Sequence, residues 1–348
     1  MRIGIVGLGV AGSYLASRLG ENHQVVGLER APENNFDAVC AWGTCKQFIS
    51  NLVKPTGLNF ENYVIHDGYE MLLDTGGKIR TIGLKGLCTY NKLQLIRDLL
   101  EDRLVKFNQN VWSLPEPNDF DLAIDSTGLH RPLLPKIKND VFIPAVQYKV
   151  KYRSQPFDDF YIKPFNGLSG YFWYFPLGDG YAHIGAGDYH KRHNEEIADF
   201  MRKYPGEVLK KVGRPIRLTP PSRCEPFYQG KVVGVGESIG TVYPVVGEGI
   251  IPSLQCAELL VENLDDLEAY RQKVLEKFAI YEKIFKVIMA AIEDRFSMIR
   301  QLPGLLGIFF HMKQNEDRYG LQVRLSDILK VAGGYKALKQ SLNFRLSS

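Results

Sequence analysis

The sequence predicts an α/β protein: a Rossmann-like nucleotide-binding domain, an antiparallel β-sheet domain inserted into it, and a helical C-terminal region. Three observations carry this. A glycine fingerprint, Gly7-Leu8-Gly9-Val10-Ala11-Gly12, lies between two apolar runs near the start of the chain. Short strand-like segments alternate from 143 to 188. From Leu267 onward, apolar residues recur at steps of three or four, as on one face of a helix. The corresponding divisions are 1–140 with 222–265, then 141–221, then 266–348.

Taken in order, Ile3–Val6 reads as a buried strand that ends in the fingerprint. A helix runs on through Tyr14, Leu15 and Leu19, and Gln24–Leu28 forms the second strand. In that context Gly7 makes the tight turn and Gly9 lets a pyrophosphate approach the backbone. Gly12 lets helix and strand pack closely, with Ala11 inside the same turn. The helix N-terminus faces the phosphates. Glu29, followed by Arg30, stands where a carboxylate accepts hydrogen bonds from an adenosine ribose, which favours an unphosphorylated ribose. The strand around Asp121–Ile124 then runs into the turn Asp125-Ser126-Thr127-Gly128.

The inserted sheet is read from PAVQYKVKY, DDFYIKPF, GYFWYFP and YAHIGAG. Tyr171, Trp173 and Phe175 share one strand face because side chains alternate. A turn centred on Asp179 pairs Phe175 with His183, Trp173 with Gly185 and Tyr171 with Gly187; a two-residue Asp-Gly turn shifts this by one. In the first register Gly185 and Gly187 either clear a groove beside an aromatic wall or simply make room for the rings.

Two later segments look built for the same ligand as the fingerprint. Gly236-Glu237 closes a strand with a carboxylate suited to ribityl hydroxyls. Pro244-x-x-Gly247-Glu248-Gly249-Ile250 opens a helix through Leu254, Ala257 and Leu260, whose positive end suits negative charge on a reduced flavin ring. A nicotinamide enzyme needs no such distant segment, so FAD fits better than NAD. Beyond Leu267 one long amphipathic helix, or two joined, is expected to end at Pro303-Gly304, ahead of a core segment LLGIFF.

Composition excludes several classes. The net charge of +4 is small and dispersed, giving no reason to expect nucleic acid. Clusters such as Lys149, Lys151 and Arg153 read as solvated faces. The five cysteines form no C-x-x-C pair, which predicts neither a disulfide framework nor a zinc site, and a reducing, cytoplasmic setting. The N-terminal run reads as a folding strand and turn rather than a signal peptide. No uncharged apolar run approaches the roughly 18–20 residues a membrane span requires, so at most a peripheral membrane association is expected.

These residues resemble a known group. GLGVAG with Glu29, the turn at Gly128, Gly236-Glu237 and Pro244–Ile250 are similar to the FAD-binding set of the p-hydroxybenzoate-hydroxylase-like flavoproteins. Tyr171, Trp173, Phe175, Pro176, Gly185 and Gly187 match the pattern Y-x-W-x-F-P-x8-G-x-G of the geranylgeranyl reductase family. Cys40-Ala41-Trp42-Gly43 resembles the short loop that family places beside the flavin ring. The resemblance covers about residues 1 to 265. Two departures stand out: Glu237 replaces the usual Asp, and Cys88-Thr89-Tyr90-Asn91-Lys92 lacks the usual Arg at a helix start.

The resemblance implies hydride transfer from reduced FAD to isolated double bonds of a polyprenyl (geranylgeranyl) chain in isoprenoid membrane-lipid biosynthesis. With one nucleotide fingerprint, electrons are expected from an external donor, a ferredoxin or transiently docked NAD(P)H. A flavin monooxygenase of the same fold and a non-catalytic prenyl-binding protein are the alternatives. Tyr171, Cys40, His183 and an ordered water are the candidate proton donors, and no residue is assigned as catalytic.

Overall fold

The computed structural model describes residues 1–76, 78–111, 120–328 and 331. The fold class is the expected one. Strand β1 (Arg2–Val6), helix α1 (Val10–Leu19), strand β2 (Gln24–Leu28) and strand β3 (Leu122–Asp125) form the heart of a six-stranded sheet. In that sheet β1 lies between β2 and β3, and Val232–Gly234 follows on the far side of β3, all parallel. These strands are buried along nearly their whole length, which is why they read as continuous apolar runs rather than alternating ones.

Their register decides where function can sit. Val6 lies opposite both Leu28 and Asp125, and Asp125 lies opposite Gly234. The carboxyl ends of four strands therefore stop on one line, at the point where the chain diverges to either side of β1. Gly7 follows immediately at φ +86°, a conformation that favours glycine, and an added Cβ there would come within 2.8 Å of the Thr127 backbone.

A second, seven-stranded sheet contains the aromatic hairpin. Strand β4 (Gly170–Pro176) pairs antiparallel with β5 (Tyr181–Asp188), with Phe175 opposite His183, Trp173 opposite Gly185 and Tyr171 opposite Gly187. The turn at Gly178-Asp179-Gly180 has all three residues at positive φ. Outside the expected insert, residues 70–74 and 79–83 extend this sheet, the former pairing in parallel with Phe160–Pro164. No local pattern announces that pairing, because its partners are some ninety residues apart.

Each face of the hairpin buries a different layer. Phe172, Tyr174 and Ile184 are fully buried and pack with Ile197 and Phe200 of the helix His193–Lys203. Tyr171, Trp173 and Phe175 point the other way, toward the nucleotide-binding sheet. Burial on both sides explains why this strand is aromatic at nearly every position.

Helix α2 (Ile250–Glu262) packs beside α1, and α3 (Leu267–Lys277) and α4 (Ala279–Ile292) are two joined helices, as one expectation allowed. The expected break at Pro303-Gly304 does not occur. Helix α5 (Met298–Gln314) runs straight through it, and the interruption falls at 293–297. Pro303 sits only in the second turn, so its missing N–H forfeits one bond, to the carbonyl of Ile299, a residue 87% exposed to water. Gly304 is a contact point: a Cβ there would lie 2.5 Å from Val287 Cγ2 of α4. In the LLGIFF segment Leu305 and Ile308 are buried, but Phe310 is exposed, so only one face of it is core. A four-residue helix, α6 (Glu316–Tyr319), follows.

Phe172, fully buried, packs against Phe200 at 4.5 Å between ring centroids with the rings tilted by 35°. Phe172→Ala is expected to destabilise the protein by about 3–5 kcal/mol, read as a lower urea midpoint.

Candidate active site

The glycine fingerprint forms the floor of the site. An added Cβ on Gly12 would run into the Gly7 carbonyl, whereas one on Gly9 would meet nothing within 4 Å. Gly12 thus serves packing, and Gly9 leaves open space at the start of α1, where the first turn's N–H groups face outward. Beside it, Glu29 is fixed by two backbone donors: Leu8 N–H on Oε2 and Ala31 N–H on Oε1, each at 2.9 Å. A carboxylate accepts about four hydrogen bonds, so lone pairs remain for ribose hydroxyls. Arg30 is exposed and near enough to His130, in the Gly128 turn, to help hold that imidazole's pKa down.

A buried arginine that the sequence reading missed clamps the next two loops. Arg217 pairs with Asp140 at 3.0 Å and donates to the carbonyls of Leu129 and Glu237. This holds the turn containing Gly128 against the turn containing Glu237. The Glu237 carboxylate accepts from Arg217 N–H at 3.1 Å and from Arg214 Nη2 at 3.0 Å. The longer acid is therefore anchored at the site rather than displaced from it.

A cavity of about 370 Å³ opens between the two sheets. Gly9, Ala11, Gly128 and Glu237 line one end, and Gly247, Gly249 and Ile250 another. Cys40, Ala41 and Gly43 line a third side, facing Tyr171, Trp173 and Phe175. The Cys40–Gly43 loop is tightly held: Trp42 stands at φ +65°, its indole N–H donates to Ala38 O at 2.8 Å, and Gln147 donates to Cys40 O at 2.9 Å. Gly43 is glycine for contact reasons, since a Cβ would strike the Phe175 ring.

Four buried polar atoms of the cavity wall have no hydrogen-bond partner in the structure: Thr44 Oγ1, Gln147 Oε1, Trp173 Nε1 and Arg318 Nη1. Buried polar groups are nearly always paired, so four unpaired ones on residues around one cavity set it apart from plain apolar core. Lys92 is a further buried cation in this wall, at the first turn of the helix Lys92–Leu99. It supplies a positive charge where the resemblance lacked its arginine, and a buried lysine at a helix start was the available signal. Gln147 and Arg318 carried no sequence signal.

A second cavity of about 220 Å³ adjoins the first and is walled almost entirely by hydrocarbon, including Ile143, Leu168, Leu218, Val245, Ile288 and Leu305. Tyr171 and Trp173, with ring centroids 5.6 Å apart, border both cavities. Gly187 lines the apolar one. Gly185 does not open a groove: the Trp173 indole lies over it, and a Cβ would collide with that ring. Pro176 lies in neither wall and its carbonyl accepts from Thr89 at 2.6 Å. The glycines thus divide, one making room for a ring and one for the cavity.

Among the proton-donor candidates, Tyr171 donates its hydroxyl hydrogen to Val246 O, and burial pushes its pKa well above the ordinary value. His183 stands behind the Cys40 loop, with Nδ1 3.3 Å from Ala41 O, and lines neither cavity; burial holds its pKa down to about 4. Cys40 is half-buried and lines the first cavity. Among the described residues no cluster of side chains is arranged to hold a metal ion.

No family model matches the sequence. A solved structure of a geranylgeranyl bacteriochlorophyll reductase-like protein from Thermoplasma acidophilum superimposes with a TM-score of 0.70 over 98% of both chains, at 16% identity. This chain has the fold of that reductase-like protein. A probable FAD-dependent monooxygenase from Pseudomonas aeruginosa shares it at a TM-score of 0.61, over 96% of this chain and 99% of that one, at 15% identity. In sequence, the chain is 26% identical over 179 residues to digeranylgeranylglycerophospholipid reductase 1 of Methanosphaera stadtmanae. That match spans 48% of this chain and 41% of the relative.

The residues present fit FAD. Gly9 leaves space at a helix N-terminus, Glu29 and Glu237 offer anchored carboxylates, and Gln147, Thr44 and Arg318 bring polar side chains to the cavity wall. Gly9→Val puts a side chain into the open space, where an added Cβ meets nothing within 4 Å. It is expected to lower FAD affinity at least about tenfold while the apoprotein melts near the wild-type temperature, read by visible absorbance and thermal unfolding.

Proposed function

We propose that this protein is an FAD-dependent reductase of isolated carbon–carbon double bonds in a polyprenyl chain, with a geranylgeranyl lipid as substrate. The observation that carries the reading is the junction at Tyr171 and Trp173, where a cavity with unpaired polar atoms meets one walled by hydrocarbon. An isolated alkene offers no group to polarise, so binding rests on apolar burial, and the second cavity provides it.

Bound FAD supplies the hydride in this chemistry. The chain's own residues orient the alkene and exclude water. Trp173 and Tyr171 form the wall against which an alkene lies, and hydrocarbon on the far side keeps the site dry. The second hydrogen arrives as a proton from Cys40 or a water beside it, since the Tyr171 hydroxyl already donates to Val246 O and His183 lines neither cavity. The likeness to digeranylgeranylglycerophospholipid reductase supports a role in isoprenoid membrane-lipid biosynthesis. An external donor, a ferredoxin or NAD(P)H, completes the electron supply.

The reading is tested by incubating the chemically reduced holoprotein with geranylgeranyl lipids under anaerobic conditions. A mass gain of two hydrogens per reduced bond is expected. No gain with any lipid class sinks the reductase reading, and oxygen consumption with a hydroxylated product identifies a monooxygenase instead. A colourless protein that still binds prenyl lipid identifies a non-catalytic carrier.

Among the described residues no helix is long and apolar enough to cross a membrane. Helix α5 nonetheless supports peripheral membrane association in a cytoplasmic protein. Its inner residues Leu305, Ile308 and Met312 line the apolar cavity, while Ile299, Leu302 and Phe310 are 87%, 43% and 57% exposed. Ile299→Glu with Leu302→Glu is expected to weaken sedimentation with anionic vesicles several-fold, while reduction of detergent-dispersed lipid persists.

A further inference from the structure

The helical tail brings one buried charge to the wall of the polar cavity, beside the apolar side chains of Met312 and Leu321 and the ring of Tyr319. Arg318 of α6 is only 7% exposed and lines the polar cavity together with Glu248, Gly247 and Gly249. Its Nη2 donates to Glu248 Oε2 at 2.8 Å and lies 3.5 Å from the Tyr281 hydroxyl, while Nη1 has no partner in the structure. The guanidinium lies over the ring of Tyr319, at 4.4 Å from its centroid, and beside Tyr243 at 5.6 Å. The segment bearing it is pinned on several sides. Glu316 pairs with Lys85 at 2.6 Å and Lys313 at 2.7 Å, and Cys45 donates to Asp317 O at 2.6 Å.

Glu248 faces two ways. Its Oε1 accepts the Ile251 N–H at 2.8 Å, in the first turn of α2, and its Oε2 accepts from Arg318. A helix N-terminus carries about half a positive charge. A carboxylate seated directly on it satisfies a free N–H but reverses the sign of the local field, from about +0.5 to about −0.5. The Arg318 charge restores it to about +0.5. The favourable end of α2 thus depends on a residue some seventy positions further along the chain.

We propose that Arg318 is a positioning residue that cancels Glu248 and so keeps the start of α2 electropositive toward the electron-rich ring of reduced FAD. This rests on FAD occupying the cavity, not on the identity of the substrate.

The test is the two-electron reduction potential of bound FAD, measured on full-length holoprotein by equilibration with a reference dye. Glu248→Gln removes the negative charge and keeps one of the two hydrogen bonds, its amide oxygen accepting from one donor while its NH2 group faces the other. The ratio of affinities for reduced over oxidised FAD is expected to rise about tenfold, which is about 30 mV for a two-electron couple. Adding Arg318→Met to that variant is expected to bring the ratio back to within about twofold of wild type. A role confined to stability would change both affinities together and leave the ratio unmoved.

An unmoved or lowered potential in Glu248→Gln overturns the inference, as does a double variant that stays at the raised value. If Glu248→Gln yields no folded holoprotein, Arg318→Lys decides. Retained charge should hold the ratio within about twofold of wild type, and a tenfold change overturns the inference. A colourless wild-type protein overturns the FAD reading itself. A flavin-bearing protein that reduces no lipid leaves this test intact.

Discussion

Four strand ends on one line are the constraint from which the rest of the molecule follows. Val6 opposite Leu28 and Asp125, with Asp125 opposite Gly234, brings Gly7, Glu29, Gly128 and Glu237 to a single edge of the central sheet. A register slip of one residue in any of these strands would turn its buried side chains around and move its loop out of line. Apolar burial on both sheet faces forbids that slip, so the forces that hold the core also hold the ligand-facing loops. Arg217 then ties two of those loops together with buried hydrogen bonds, which fixes their separation rather than leaving it to flexible turns.

The aromatic hairpin performs the complementary task from the opposite side. Its strand twist and pairing deliver alternate residues to two different layers. Phe172 and Tyr174 hold the sheet to its covering helix, and Tyr171 and Trp173 meet the cavities. A strand that is bulky on both faces cannot drift along its neighbour, because every shift would bury a ring in place of a gap. Gly185 is one such gap, filled by the Trp173 indole. The wall between the polar and the apolar cavity is consequently as rigid as the core behind it.

The C-terminal region has two functions that its helical periodicity alone does not reveal. One side of α5 closes the hydrocarbon cavity, and α6 introduces a guanidinium beside the start of α2. A buried ion pair contributes little net stability when its charges could have stayed in water. Its presence here is better explained by what the pair does to the field in the cavity than by what it adds to folding.

Much of the site was legible because local chemistry imposed it. A glycine at φ +86°, an open glycine at a helix start and an acid at a strand end are demands made within a few residues, so they leave a readable spacing in the chain. The hairpin register was legible down to two choices: the glycines around Asp179 place a turn, and the structure takes the pairing centred on Asp179 over the one shifted by a residue. Residues 70–83, Gln147, Arg217 and Arg318 were not legible. Each has its role through a partner some seventy or more residues away, and side-chain periodicity records only which face is buried, not what it meets. Pro303 shows the converse. Its chemistry is local, but whether it ends a helix depends on where that helix begins, and packing against Val287 decided that. Sequence alone therefore determined the loops and their ligand-facing geometry, because backbone conformation is a short-range property. Tertiary structure decided the charges and walls that meet them, because burial and pairing are properties of distance in space.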